Sequence, residues 1–478
     1  MRSDLISSYF SVFGGRVEPF TLYAEADEAL GHKIKYFDIT SLYPYVMRSK
    51  IYPIGFPEVI KDEDKFHSLT DLNKEWSYEG IAKVRILPPK GLLHPVLPIK
   101  LDSGKLCFTL CVKCSTEGNM TRKCEHTDME RSIVGVFTSP ELSLAIEQGY
   151  KLLKCFEVWD FKATMQYDGI NEETGLFTKY INKFMKLKQE ASGYPSWVKT
   201  EADKDKYIQD YKALEGIELD KNKIEDNPGL KFIAKNALNV LHGKLSQRSN
   251  LASTEVFSDE SEFLTAVFNP NREILDFFEI HDKVFLTTKK KEEHSCISSP
   301  TTNVVLAAYI TAHARVHLYR TLKRLAGRAY YCDTDSCIFL SVPGLWEPVI
   351  SDALGGWKSE LAPGTWITRL ICAGCKNYCY QTDSLQNDGT DGKLVIKGWN
   401  LDFNTLKQLN REVVEELVKT YLQTSNENKV VKVEGLSSFE RNKREPGIYT
   451  RETLKTYRVI IDKRIVTEDY KTIPFGYY

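Results

Sequence analysis

Apolar and β-branched residues crowd into Lys33-Ile34-Lys35-Tyr36-Phe37-Asp38-Ile39, a run that reads as a strand closing on a carboxylate. Phe13-Gly14-Gly15-Arg16 ahead of it reads as a turn. From about 56 to 165 the pattern is mixed, rich in Pro, and carries a Cys/His cluster. Residues 171–250 show the long polar–apolar period of helices, and 251–299 return to short strands with a charged tip at Lys289-Lys290-Lys291-Glu292-Glu293. A long helix is expected from Thr301 to Leu325, then a strand from Ala329 to Leu340, and a further helix at about 405–424 before a basic C-terminal segment. Strands bearing carboxylates thus flank a long insertion and a helical pair. The pattern predicts an α+β chain with an antiparallel sheet at its chemical centre.

Composition narrows the classes. The chain has 478 residues, 64 Lys+Arg against 65 Asp+Glu and 42% hydrophobic residues, which argues against wholesale disorder and against a uniformly basic coat for nucleic acid. A basic groove remains compatible with overall balance. The longest clearly apolar run, Val304 to Ile310, is far too short to span a membrane, so no membrane partner is expected. Eleven Cys and no secretory signal at the start predict a reduced, intracellular chain, in nucleus, mitochondrion or a viral or host cytoplasm.

Three segments carry candidate chemistry. In Tyr331-Cys332-Asp333-Thr334-Asp335-Ser336, residues two apart on a strand or tight hairpin face the same way, so Asp333 and Asp335 can present oxygen to one site. Two such carboxylates suit a divalent cation, and Asp and Thr are equally good turn formers. Asp38-Ile39-Thr40-Ser41-Leu42-Tyr43-Pro44 ends a strand on a carboxylate and places Tyr43 beside it. The third segment is a helix after Asp226-Asn227-Pro228, capped by Asn or Asp with Pro in its first turn. At a helical period Lys231, Lys235, Asn239 and His242 share one stripe, while Ile233, Ala237, Val240 and Leu241 are expected to form the packed back. The stripe fits a triphosphate or a nucleic-acid backbone, or a plain solvated face.

Taken together and in this order, the segments resemble motifs A, B and C of family B DNA polymerases. The match is to the protein-primed, organellar and viral branch, which includes the Polinton-type (Maverick) transposon polymerases. Asp38 to Pro44 matches D-x-x-S-L-Y-P in full, and Tyr331 to Ser336 matches Y-x-D-T-D-S in full. Lys235 to Gly243 matches K-x-x-x-N-S-x-Y-G with Val240 in place of Ser and His242 in place of an aromatic. Lys186 to Pro195, Glu215 to Asp220 and Ile473 to Tyr477 also resemble Polinton-type sequences. Lys376-Asn377-Tyr378 resembles the K-x-Y motif, and Gly14-Gly15 the glycine pair of Y-x-G-G, with Val12 where that motif has Tyr.

The resemblance implies a right-hand fold with an antiparallel palm sheet, helical fingers, insertions and a small thumb. It divides the chain into a first palm part at 1–55, an insertion at 56–165, fingers at 166–250, a second insertion at 251–299, the second palm part at 300–400 and a thumb at 401–478. It implies an enzyme that adds deoxynucleotides to a 3′ end on a DNA template, with two Mg²⁺ as cofactors. Asp38 and Asp335 would hold the ions and Asp333 would support them. Ser41, Leu42, Tyr43, Lys223, Lys235, Asn239 and His242 would meet the nucleotide, with Tyr43 excluding a 2′-hydroxyl. Gly14, Gly15, Lys231, Lys376 and Tyr378 would meet DNA. A priming terminal protein is a further implied partner. Only about a dozen residues precede the glycine pair, so the expectation is a core without the branch's exonuclease. The altered motif B leaves open a catalytically weakened, nucleic-acid-binding relative.

Two further segments add partners or ions. Cys111-x-x-Cys114 and Cys124-x-His126 have the spacing of a zinc knuckle. Cys372, Cys375 and Cys379 are expected to pack in the ordinary way. From Lys429 to Tyr478 there are 11 Lys+Arg against 7 Asp+Glu, including Arg441, Lys443, Arg444, Arg451, Lys455, Arg458, Lys463 and Arg464. Standing where the family's thumb falls, the segment is expected to grip the product duplex by its phosphates, the alternative being a solvated charged surface.

Overall fold

A computed structural model describes residues 12–120, 123–169, 174–247, 251–280, 282–291, 301–423, 429–441 and 447–478. Its centre is a nine-stranded sheet: β1 (Val17–Pro19), β2 (Tyr23–Glu25), β3 (Lys33–Ile39), β4 (Ala329–Asp333), β5 (Ser336–Ser341), β6 (Trp357–Ser359), β7 (Ile367–Gly374), β8 (Asn377–Thr382) and β9 (Gly392–Ile396). The spatial order is β1-β4-β5-β3-β7-β8-β9, with β6 also on β3 and β2 also on β7, and every named pairing is antiparallel. The α+β expectation holds. The strand foreseen from Ala329 to Leu340 is a hairpin, because Thr334 takes a left-handed φ of 58° and turns the chain between β4 and β5.

Two helices close one face. Helix α1 (Leu42–Ser49) leaves β3 after Ser41. The long helix (Val304–Leu325) is capped by Asn303, whose side chain accepts from Leu306 N–H. It is buried on nearly every side because it lies between two cores, giving Tyr309, Ile310 and Leu318 to one and Val316 and Tyr319 to the other. The segment expected as fingers forms helices Thr178–Glu190, Glu201–Glu215 and Pro228–Leu245. The first insertion is a four-stranded antiparallel sheet, Glu58–Ile60, Lys151–Asp160, Gly80–Leu87 and Ile133–Thr138. The second is a three-stranded sheet with helix Glu260–Val267, and Glu292 and Glu293 of its expected tip lie outside the described residues.

The segment expected as a thumb divides into three. The helix foreseen at about 405–424 is two, Phe403–Gln408 and Arg411–Gln423. The second lays Val414, Leu417, Val418 and Tyr421 on the far face of the sheet. A hairpin, Val431–Arg441 with Ile448–Tyr457, follows, its second strand exposed over most of its length. Residues 459–478 then return to the sheet and the first insertion. Thr472 N–H donates to Phe20 C=O at 2.8 Å, and Leu22 N–H to Tyr470 C=O at 2.7 Å. Among the described residues no helix is long and apolar enough to cross a membrane.

Candidate active site

Sheet register brings together carboxylates nearly 300 residues apart. Asp38 is opposite Ser336 on one side and Lys358 on the other, and Ser336 is itself opposite Asp333. Ile39 N–H donates to the backbone carbonyl of Asp335 at 2.7 Å, which joins the end of β3 to the hairpin turn. Asp38, Asp333 and Asp335 are all half-buried. Desolvation first, then the charges of Asp335 and Glu360, push the Asp38 carboxyl up to about 7, against the pull of Lys235 and Lys358. Desolvation, aided by Asp333 and Glu360, pushes Asp335 up to about 6. These groups keep their protons to higher pH than ordinary carboxyls, Asp38 into the neutral range, and a cation standing among them would favour their release. Oxygen donors in this arrangement fit a hard divalent ion such as Mg²⁺. Asp333 differs, because Lys376 Nζ lies 2.8 and 2.6 Å from its two oxygens.

A basic and aromatic wall faces the acids. Ser41 adopts a left-handed backbone (φ 53°, ψ 59°) at the start of α1, so the first N–H groups of the helix open beside the site. The Leu42 side chain is buried in the core, which leaves only its amide to the site. Lys188 Nζ is 3.5 Å from Ser41 Oγ. Burial first, then the charges of Lys235, Lys231 and Lys358, lower the Lys188 pKa. The Tyr43 ring stacks on His242, with centroids 4.0 Å apart and planes at 24°. Burial, then Asp335, raises the Tyr43 pKa, and burial lowers that of His242.

The glycine pair lies against the acids as well. A side chain at Gly15 would meet Thr334 Oγ1 at 2.4 Å, and Thr334 N–H donates to Arg16 C=O at 2.8 Å. Arg315, on the long helix, fixes the same loop by donating to Phe13 C=O at 2.6 Å and Gly14 C=O at 3.1 Å. Its guanidinium is held in turn by buried Glu141 at 2.8 Å.

The structure corrects four expectations. Lys223 pairs with Asp220 at 3.4 Å on an exposed turn and does not join the lysine group around Ser41. The buried face of helix Pro228–Leu245 is Ala234 and Leu238, with Leu241 and Leu245 partly buried, whereas Ile233 and Val240 are 60% and 56% exposed. Periodicity fixes the angles between residues and not which apolar arc meets a neighbour. Tyr378 points into the far core with its hydroxyl 3.3 Å from that of Tyr36, so it backs the Lys376 turn instead of lining a surface. Arg464 is 1% exposed, inside the protein. Asn239 is half-buried on the helix that carries Lys231 and Lys235. Arg441 ends a hairpin strand, and Lys443 and Arg444 lie outside the described residues.

Sequence reading missed Lys188, Lys358, Glu360 and Arg315. Lys188 left a signal: on its helix Ile181 and Met185 are buried, and position 188 continues that stripe with a lysine where an apolar residue would fall. Away from the acids, Cys111, Cys114, Cys124 and His126 converge as a group able to hold a metal ion. Cys372 and Cys379 are buried in the sheet core, as expected of packing.

Comparison with known proteins follows the same lines. The family model described as DNA polymerase type B, organellar and viral, matches residues 10–326. A probable DNA polymerase of Neurospora intermedia is 23% identical over 351 residues, covering 73% of this chain and 29% of that protein. The Phi29 DNA polymerase in complex with primer-template DNA and incoming nucleotide superposes with a TM-score of 0.53 at 16% identity, over 95% of this chain and 62% of that one. Its complex with primer-template DNA alone gives 0.51, at 16% identity over 94% and 62%. The chain thus spans less than a third of the curated relative and under two thirds of the Phi29 chain.

Proposed function

The chain belongs to the organellar and viral type B DNA polymerases, and from its paired carboxylates we propose that it adds deoxynucleotides to a DNA 3′ end on a DNA template. The observation that carries this reading is the Asp38–Asp335 pair, raised to about 7 and about 6, facing a wall of lysines. Half-buried acids whose ionisation is opposed by desolvation and by neighbouring carboxylates, beside a cluster of amines, match the two halves of a phosphoryl-transfer site, one for cations and one for phosphates.

Asp38 and Asp335 would hold two Mg²⁺ ions. Bound there, Mg²⁺ supplies acidification of a primer hydroxyl and neutralisation of triphosphate charge. Asp333 orients Lys376 at the edge of the pair, where an ammonium can meet the primer strand. Lys188, Lys235 and the amides at the start of α1 receive the triphosphate, and Lys231 meets DNA at the outer end of the stripe. Tyr43 floors the sugar pocket, and its stacking on His242 holds the ring where a 2′-hydroxyl would clash. His242 presents a flat but smaller face than an aromatic to the nascent base pair. Gly14, with open space where a side chain would stand, meets the template beside the hairpin, and Gly15 lets that loop close on Thr334. Arg441, Lys443 and Arg444 of the basic C-terminal segment grip the product duplex through phosphates, and initiation uses either a terminal protein or a nucleic-acid 3′ end as primer.

Primer extension on a DNA template with Mg²⁺ and dNTPs tests the reading. Extension by the wild type, abolished by Asp335→Ala with DNA binding retained, supports it. DNA binding without extension by the wild type would instead favour a nucleic-acid-binding relative.

A further inference from the structure

Three thiol sulfurs surround one imidazole nitrogen at the edge of the first insertion. His126 Nδ1 lies 3.4 Å from Cys111 Sγ, 3.2 Å from Cys114 Sγ and 3.7 Å from Cys124 Sγ. All four ligand atoms lie within 4.8 Å of one another. A ring nitrogen carries at most one proton, so hydrogen bonding can serve only one of the three sulfurs. A tetrahedral Zn²⁺, bonded at about 2.3 Å to sulfur and about 2.0–2.1 Å to nitrogen, sets ligand–ligand edges of roughly 3.5–3.8 Å. The observed spacings fall around that range. The other ring nitrogen, Nε2, faces the Glu117 carboxylate at 3.4 Å, the kind of outer contact that orients a metal-bound imidazole.

The surroundings indicate what such an ion would do. A separate small core forms here from Cys111, Cys114, Cys124, Ile465, Ile473 and Phe475, so half of its buried side chains are the thiols themselves. The other half comes from the returning segment. Leu110 N–H donates to Phe475 C=O at 2.9 Å, Gly91 N–H to Tyr477 C=O at 2.8 Å, and Cys124 N–H to Tyr478 C=O at 3.4 Å. Gly476 has a φ of 79°, and a Cβ there would stand 2.4 Å from Cys111 Cβ, so the backbone presses directly on a ligand residue. Besides the thiols, only Ile465, Ile473 and Phe475, with the partly buried Leu93 and Tyr477, supply apolar surface here, so a metal bound by the thiols would add a large share of the local free energy.

We propose that Cys111, Cys114, Cys124 and His126 bind one structural Zn²⁺, and that this ion clamps the returning segment, residues 465–478, onto the first insertion. The proposal does not depend on polymerase activity, and neither does its test. Protein purified under reducing, chelator-free conditions should contain about one Zn²⁺ per chain by elemental analysis, and Co²⁺ exchanged into it should show the visible spectrum of a tetrahedral thiolate site. Stripping the zinc from the wild-type protein should raise amide hydrogen exchange at Gly91, Leu110 and Cys124 by about tenfold or more, and adding Zn²⁺ back should restore protection. Cys114→Ser should reproduce the stripped state, and the wild-type strip-and-restore cycle decides the matter if that variant misfolds. Any of three results overturns the proposal: less than about a tenth of a zinc per chain, a disulfide among the three cysteines in the purified protein, or zinc removal that leaves exchange at those amides unchanged.

Discussion

The two faces of the central sheet near β4 hold charge in opposite ways. On the front, burial first and then neighbouring carboxylates raise the pKa of both groups, Asp335 acting on Asp38 and Asp333 on Asp335, and protein cations offset this only in part. On the back, Glu18 lies opposite Cys332 in register and therefore projects away from Asp333. It accepts from Arg16 at 2.6 Å and has Arg464 at 3.5 Å, with all three side chains at most 3% exposed. Arg464 also donates to Thr472 Oγ1 at 2.8 Å, and burial lowers its pKa only to about 10, so it stays charged at neutral pH. The back is supplied with counter-charge from within the chain and is structural. The front keeps an excess of acid over protein cations, and it is there that the proposed divalent ions would bind.

Breaking each face should have a distinct signature. The largest effect is on the front: Asp38→Ala or Asp335→Ala should cut primer extension by roughly 10³-fold or more, the several kcal/mol of a lost metal-held charge. DNA affinity should stay within a few-fold in a mobility-shift assay, because the proposed phosphate contacts are other residues. Comparable extension by Asp335→Ala would sink the assignment. On the back, Arg464→Ala should destabilise the fold by about 3–5 kcal/mol in urea unfolding, since Glu18 keeps its charge with one guanidinium fewer. A loss below about 1 kcal/mol would mean the network is not structural.

Smaller effects sharpen the contrast. Tyr43→Val should raise ribonucleotide over deoxynucleotide incorporation by roughly 10–100-fold, the range for one steric contact. An unchanged ratio in single-turnover kinetics would move the gate elsewhere. The smallest effect concerns protons. Front carboxyls raised to about 7 and about 6 keep protons that the unfolded chain, with values near 4, has already released. Metal-free stability should therefore fall as pH rises from about 4 to 7. Asp335→Asn removes part of that fall and should stabilise metal-free protein at pH 8 on the order of 1–2 kcal/mol, discounted for half-exposure, with little gain near pH 4. Thermal melts at the two pH values, with chelator present, decide it.

How much was legible depended on whether a feature is local. The strand Lys33–Ile39 and the Cys/His cluster follow from nearby residues, and the structure forms the one and gathers the other. The meeting of Asp38 with Asp335 rests on register across a sheet, which the chain's pattern does not encode; the motif resemblance supplied it. Arg464 looked like one more member of a basic run, because sequence shows charge and not the direction in which a returning loop carries it. Arg315 sits in a helix buried on nearly all sides, where an arginine implies a partner, yet nothing local identifies that partner as Glu141, 174 positions earlier.

The contact between Gly15 and Thr334 carries an evolutionary consequence. Gly15 does not have a positive φ, so its requirement for glycine is one of space alone. A Cβ at position 15 would stand 2.4 to 2.8 Å from three atoms of the Thr334 side chain, which belongs to the turn between two carboxylates. The positions should then drift as a pair: an alanine at 15 becomes tolerable only where 334 has shrunk or its turn has shifted. Such a shift would move Asp333 and Asp335 with it. Lineages that lose this glycine should therefore show compensation in the acid-bearing turn, 319 positions away along the chain, before they show it in their immediate neighbours.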